Sequence, residues 1–143
     1  MTTARWIRAA LAAVQSGGDV RKDLNLLLDR ARGGSVSFSS AERSMRRNII
    51  PRRERTLRAV KALPPEPSKV RGARSLALCA MNRSLAAGHE YRRYFATGSY
   101  RRYVRGSVHS YRATICKDRF LARIRSAGTK VGVRVPYQNG LWP

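Results

Sequence analysis

Apolar residues recur three and four positions apart along most of this chain, which is the spacing of one face of an α-helix. Glycine or proline separates five stretches of this kind. The first spans about Thr3–Ser16. The second begins after Asp19, which we predict as its N-cap, and ends at the glycine pair 33–34. The pattern predicts an all-α protein.

The third stretch is the most basic of the five. Ser39 and Glu42 have the spacing of a capping box, in which each side chain satisfies a free amide at a helix start. Pro51 lies inside the stretch and predicts a kink or a break, since proline lacks the amide donor and clashes with the preceding turn. Two short helices meeting at a turn are the alternative.

The proline-rich segment Leu63–Ser68 predicts a boundary, because its three prolines do not continue a helix. Beyond it, residues 69–97 carry many small residues and predict the central helix of a bundle. The fifth stretch runs from Tyr100 to Ala127 before Gly128, and we expect its large apolar residues to face inward: Val104, Val108, Tyr111, Ile115 and Ile124. We therefore predict a basic helical arm (1–63), a linker (64–68), a helical bundle (69–128) and an extended tail (129–143).

The charge of the chain adds a prediction to that of a helical protein: its partner is a polyanion. Lysine and arginine total 30 against 8 acidic residues, which gives a net charge of +22 and a pI near 11.7. Every third of the chain carries the excess, and 25 of the 30 cations are arginine. Because arginine binds phosphate bidentately and stacks on flat faces, we expect a nucleic acid as the partner, and the composition leaves DNA and RNA open.

A short repeat places tyrosines among these arginines: Tyr91–Phe95 (YRRYF) recurs as Tyr100–Val104 (YRRYV). Rings in such a pattern pack on sugars or bases while the arginines contact phosphates. The alternative is tyrosines at the edge of the core with snorkelling arginines beside them. No sequence-reading motif accompanies the repeat. The predicted nucleic-acid-binding residues are Arg43, Arg46, Arg47, Arg52, Arg53, Arg55, Arg58, Arg92, Arg93, Arg101, Arg102 and Arg105.

We find no catalytic motif in the sequence. His89 and His109 lie 20 residues apart with no nucleophile, phosphate-loop or metal motif around them. The number and spacing of the cysteines, Cys79 and Cys116, fit neither a disulfide framework nor a zinc site. Whether the two form a single disulfide is left undecided by the sequence. We predict a protein that is no enzyme and uses no cofactor, metal or small-molecule substrate. A membrane surface is a weaker partner than nucleic acid, since the charge extends far beyond the amphipathic first helix.

Two classes of nucleic-acid binder remain: a protein that coats or packages duplex DNA, and an rRNA-binding subunit of a bacterial or organellar ribosome. A basic, proline-interrupted helical arm before a helical bundle, in about 140 residues, resembles the major coat proteins of filamentous archaeal viruses. That resemblance implies paired subunits that wrap double-stranded DNA with their arms and stack into a filament. It makes double-stranded DNA the favoured partner, with RNA as the alternative. The basic residues 91–112 depart from it, because a coat's bundle should face outward.

Self-association is part of the coat interpretation. Apolar residues near the chain ends are the candidates for contacts between copies: Trp6, Ile7, Leu141 and Trp142. Removing the uncharged end of the tail should then abolish filaments and spare DNA binding. The expected location is a virion or an intracellular nucleoprotein assembly, with no secretion and no membrane span. Residues 1–17 also match the composition of a mitochondrial presequence, but we treat them as part of the fold.

Overall fold

The computed structural model describes residues 1–136, and within that range it contains helices and no strand. This confirms the all-α prediction. The α-helices are α1 (Thr3–Gln15), α2 (Val20–Arg32), α3 (Phe38–Ser44), α4 (Ile50–Lys61), α5 (Ala73–Thr97) and α6 (Tyr100–Lys130). A π-helical turn, Met45–Ile49, joins α3 to α4, and a 3₁₀ turn, Ser68–Val70, precedes α5. No described helix has the length and apolar character needed to span a membrane.

Pro51 does not break the basic segment. The chain stays helical from Phe38 to Lys61, and Pro51 lies in the first turn of α4, directly after the π-turn. A π-turn shifts the hydrogen-bond pattern by one residue, so the helix continues past a residue that lacks an amide donor. The predicted start of this segment was also wrong. Ser37, and not Ser39, is the N-cap of α3, and its hydroxyl accepts a hydrogen bond from the Ser40 amide at 3.1 Å.

Asp19 is the N-cap residue of α2, as predicted, although its side chain makes no capping hydrogen bond. One other helix end differs from its prediction. Helix α6 continues through Gly128 to Lys130. Gly128 is instead a packing position, because a Cβ there would lie 2.8 Å from the carbonyl oxygen of Val133. The turn that follows contains Gly132, at a φ of +72°.

Helices α5 and α6 form a hairpin around Gly98, which caps α5 in the left-handed conformation at φ +71°. So short a connection makes the two helices antiparallel neighbours. A disulfide between Cys79 and Cys116 joins them, with the two Cα atoms 6.0 Å apart. The sequence did not decide whether this disulfide forms, and the structure contains it. The described residues contain no free cysteine.

Residues 1–63 share their cores with the hairpin. One cluster joins α1, α4, α5 and α6 and includes Trp6, Val60, Ala77 and Phe120; the other joins α2, α3, the π-turn and α5. The linker also packs on the body, since the indole of Trp6 donates to the Pro64 carbonyl at 2.9 Å. A separate N-terminal arm is therefore not confirmed.

The tail is only partly described. Val133 and Val135 are buried against the first cluster, and residues 133–136 form no strand. An extended tail over 129–143 is likewise not confirmed. Leu141 and Trp142, predicted to contact other copies, lie outside the described residues.

Candidate nucleic-acid interface

The surface of the described protein is overwhelmingly cationic. Only three acidic residues are exposed: Asp19, Asp29 and Asp118. Against them stand 22 exposed cations: Arg5, Arg8, Arg21, Lys22, Arg30, Arg32, Arg43, Arg46, Arg47, Arg55, Arg58, Lys61, Lys69, Arg71, Arg93, Arg101, Arg105, Arg112, Arg119, Arg123, Lys130 and Arg134. Folding therefore concentrates positive charge on the surface, because it turns most of the acidic residues partly inward.

The first half of α6 presents a face of rings, valines and arginines to solvent. Tyr100 and Tyr111 are 66% and 69% exposed, and Val104 and Val108 are each 43% exposed. The spacing of three and four residues puts Arg101, Arg105 and Arg112 on the same side of the helix, and all three are exposed. We call these seven residues the α6 outer face. From Arg101 to Arg112 it extends about 17 Å along the helix.

The predicted inward orientation of Val104, Val108 and Tyr111 was therefore wrong, whereas Ile124 is buried as expected and Ile115 is partly buried. The reason lies in α5. The ring of Tyr91 packs directly on Gly106, where a Cβ would come within 2.7 Å of a ring carbon. Because α5 approaches α6 on the side of Gly106 and Ala113, the large apolar residues of this stretch turn outward.

A second group of arginines gathers where the hairpin turns. Glu42 of α3 lies 3.4 Å from Arg46 and 3.3 Å from Arg92, and Glu90 lies 3.2 Å from Arg93 and 3.3 Å from Arg102. The two predicted basic segments, 43–58 and 92–105, therefore meet here. Two carboxylates serve four arginines, so the group keeps a net positive charge.

Tyrosine rings complete this group. The Arg32 guanidinium lies 4.5 Å from the centre of the Tyr103 ring and donates to its hydroxyl at 2.8 Å. The Tyr100 ring stacks on Tyr103 with the ring centres 5.8 Å apart. We call the whole group the hairpin end: Arg32, Glu42, Arg46, Glu90, Arg92, Arg93, Tyr100, Arg102 and Tyr103. Sequence reasoning missed Arg32, and no local signal marks it, since its partner is 71 residues away.

The tyrosines of the repeat have two different roles. Tyr91 and Tyr94 are only 4% and 8% exposed and belong to the second core cluster. Their equivalents in the second copy lie at the hairpin end, where Tyr100 is exposed and Tyr103 is partly buried against the same cluster. Tyr91 and Tyr94 therefore lie in the core, and a contact of the second copy with nucleic acid stays a prediction.

Two of the predicted phosphate ligands are structural residues. Arg52 donates to Asp23 Oδ2 at 2.6 Å and to the Gly17 carbonyl at 2.9 Å, which ties α4 to α2. Arg53 is 5% exposed and donates to the Ser84 carbonyl of α5 at 2.5 Å. Burial lowers the pKa of Arg53 to about 10. A buried guanidinium does not reach a backbone phosphate on the surface, so the prediction for Arg53 was wrong.

The remaining predicted arginines of this segment, Arg43, Arg47, Arg55 and Arg58, are exposed. Trp6 and Ile7 are not: both are fully buried in the first core cluster. The self-association role predicted for these two residues is therefore contradicted, because each monomer already buries them.

Residues with metal-binding chemistry do not converge in the part of the chain that the structure describes. No group of three His, Cys, Asp or Glu residues among residues 1–136 has the arrangement of a metal site. His109 Nδ1 lies 3.3 Å from an Arg83 Nη atom. The sulfur atoms of Cys79 and Cys116 are bonded to each other in the disulfide.

Comparison with known proteins adds no relative: no protein-family model, no curated protein and no solved structure matches this chain.

Proposed function

We propose that this protein binds nucleic acid without reading its sequence and acts as a structural protein that coats or packages double-stranded DNA. The observation that carries the proposal is the exposed charge: 22 cations against three acidic residues, most of the cations being arginine. Self-repulsion of that size destabilises a compact chain unless a polyanion neutralises it. The partner of this surface is therefore a dense and extended polyanion.

The α6 outer face supplies the contact in this proposal. The helix extends about 17 Å from Arg101 to Arg112. A duplex that lies along this length presents about ten phosphate charges to it. The arginines donate to phosphate oxygens, while the rings of Tyr100 and Tyr111 pack on sugars or on unpaired bases. The hairpin end continues the same surface, since Tyr100 belongs to both groups. Such contacts fix position on the backbone and carry no base-specific information.

The disulfide favours the coat-protein form of the proposal over the ribosomal one. Disulfides persist in oxidising surroundings such as virion surfaces, and inside hyperthermophilic archaea and bacteria, but they are rare in other cytosolic proteins. The fold also changes how wrapping works here. In this proposal DNA lies along the surface of the helical body and is not held by a detached arm. The packing of residues 1–63 into cores shared with the hairpin supports that arrangement. Nuclease digestion of the native complex tests the choice of nucleic acid. We expect DNase, and not RNase, to degrade the nucleic acid in it.

The first expected result is a steep salt dependence of binding. The logarithm of the affinity for duplex DNA should fall linearly with the logarithm of salt concentration, by about 0.9 per phosphate neutralised. Fluorescence anisotropy with two unrelated duplexes of equal length measures both slope and specificity. A flat salt dependence, or a strong preference for one duplex, contradicts the proposal.

The second expected result localises the contact. Arg101→Gln, Arg105→Gln and Arg112→Gln together should reduce the salt slope by up to about three, since each lost phosphate contact lowers it by about one. The matched control replaces Arg5, Arg8 and Arg71, three exposed arginines that do not belong to the α6 outer face, and should reduce the slope by less than one. Circular dichroism checks that both variants keep their helices. Equal losses in the two variants would remove the α6 outer face from the proposal.

A further inference from the structure

The hairpin end presents to solvent an aromatic ring that is already stacked on another. The ring of Tyr100 lies nearly parallel to that of Tyr103, with 20° between the planes and 5.8 Å between the centres. Tyr100 is 66% exposed, so most of its side chain is open to solvent. Because aromatic rings associate in offset stacks, a ring with one neighbour and an open face accepts a second flat group.

Tyr103 holds this stack in place. Its ring contacts the rings of Tyr91 and Tyr94, with the centres 5.8 and 5.3 Å apart, and both of those residues belong to the second core cluster. The Arg32 guanidinium lies 4.5 Å from the centre of the Tyr103 ring and donates to its hydroxyl. Contacts from α5 and α2 therefore restrain Tyr103, and a restrained platform loses less entropy on binding than a mobile one.

Tyr111 lacks such support. It lies on the same face of α6 as Tyr100 and has nearly the same exposure, 69% against 66%. Within residues 1–136, however, Tyr111 stacks on no other aromatic ring. Of these two tyrosines, only Tyr100 belongs to a fixed stack.

Cations lie beside the stacked rings. Arg101 and Arg102 follow Tyr100 directly on α6, and Arg101 is exposed. Arg93 of α5 and Arg102 share the carboxylate of Glu90, at 3.2 and 3.3 Å. Three arginines thus face one acidic residue, so the matching ligand carries a flat ring with negative charge close to it. An unpaired nucleotide has both, because its base is free to stack and its phosphate accepts hydrogen bonds from arginine.

The pairing state of the base decides whether its face is available. Inside a duplex the neighbouring base pairs cover that face, and a side chain that inserts between them must first unstack them. A base in a single strand offers its face without that cost. Stacking of this kind tolerates every base, since each has a flat π-face. The stacked tyrosines therefore favour an unpaired base and do not introduce sequence specificity.

We propose that the hairpin end is a binding site for an unpaired base of single-stranded DNA, which stacks on the open face of Tyr100. Arg93 and Arg101 donate to the phosphates on either side of that base, and Tyr103 is a positioning residue. This site rests on the proposed function, since it assigns a second form of DNA to a DNA-binding protein. Duplex DNA is held through its backbone alone, whereas a single strand is held through a base as well.

Two strands with equal numbers of phosphates separate base stacking from charge: a short oligothymidylate and an abasic strand of the same length. Fluorescence anisotropy with the full-length protein measures the affinity for each. The wild type should bind the oligothymidylate about tenfold more tightly than the abasic strand. Tyr100→Leu should reduce this preference to about twofold or less, whereas Tyr100→Phe, which keeps the ring, should retain it.

Tyr111→Leu is the matched control, because it removes an equally exposed ring from the same face of α6. Any affinity that this variant loses should be lost for both strands alike, so the preference for the oligothymidylate stays. Circular dichroism checks that each variant keeps its helices. A wild type that binds the two strands equally, or equal loss of the preference in Tyr100→Leu and Tyr111→Leu, would overturn the proposal.

Duplex binding in the same buffer distinguishes failure of this site from failure of the proposed function. A wild type that binds duplex DNA with a steep salt dependence, yet shows no preference for the oligothymidylate, overturns the base-stacking site alone. A protein that binds neither the duplex nor either strand overturns the proposed function, and the site with it.

Discussion

Replacement of Lys117 by methionine is expected to remove most of the pH dependence of this protein's stability between pH 7 and pH 9.5. The folded protein releases the Lys117 proton near pH 7, because burial and the charges of Arg53 and Arg21 lower its pKa, whereas the unfolded chain holds it to about 10.5. Between these values the unfolded state binds more protons. The free energy of unfolding therefore rises with pH by about 1.4 kcal/mol per unit.

The size of this effect makes it measurable. Over 2.5 pH units the gain is about 3 kcal/mol, a large part of the stability of a typical domain. Below pH 7 both states carry the charge, so the penalty is complete and constant there. The window ends at 9.5 because Arg53, whose pKa is about 10, begins to titrate above it.

Urea unfolding followed by circular dichroism at several pH values, in buffers without phosphate, measures the slope. Lys130→Met is the matched control, since it removes an exposed lysine from the same helix and should leave the slope unchanged. A Lys117→Met protein that keeps the wild-type slope would show that another group carries the pH dependence.

Reduction of the disulfide is expected to produce the other large loss of stability. The bond between Cys79 and Cys116 closes a loop of 37 residues. In the chain-entropy description, a loop of that length destabilises the unfolded state by about 4 kcal/mol. Without the bond, the unfolding temperature of a chain of this size should fall by roughly 10 to 15 °C.

Thermal unfolding with and without a phosphine reductant measures this difference, and a thiol assay confirms that the bond is open. The double variant Cys79→Ala, Cys116→Ala should unfold near the temperature of the reduced wild type and be insensitive to reductant. A reduced protein that unfolds at the oxidised temperature would mean that α5 and α6 hold together by packing alone.

Most helix positions were predictable because they depend on local sequence. The bounds predicted for α1 and for the end of α5 differ from the structure by at most one residue, and Gly98 ends α5 as expected. Apolar spacing, capping residues and glycine act over one or two turns, so the chain around each position contains the information. The absence of a break at Pro51 and the continuation of α6 through Gly128 have a different origin: a π-turn in one case and the packing of Val133 against the helix in the other.

The candidate site was less predictable because burial is decided by distant residues. Arg52 and Arg53 look like their neighbours in sequence, yet one bonds to Asp23 on α2 and the other to the Ser84 carbonyl on α5. Val104 and Val108 look like core residues, yet Gly106 decides which side of α6 meets α5. None of these partners is visible in a local window.

The sequence by itself determined that the chain is helical, where most of its helices lie, and that its surface must carry a large excess of arginine. Periodicity and composition suffice for these, since they are sums over neighbouring or over all residues. Only the tertiary structure decided which arginines are structural, which face of α6 is open to solvent, and that Arg32 of α2 meets Tyr103 of α6. Those properties depend on contacts between segments far apart in sequence, which close packing selects through shape and hydrogen bonding.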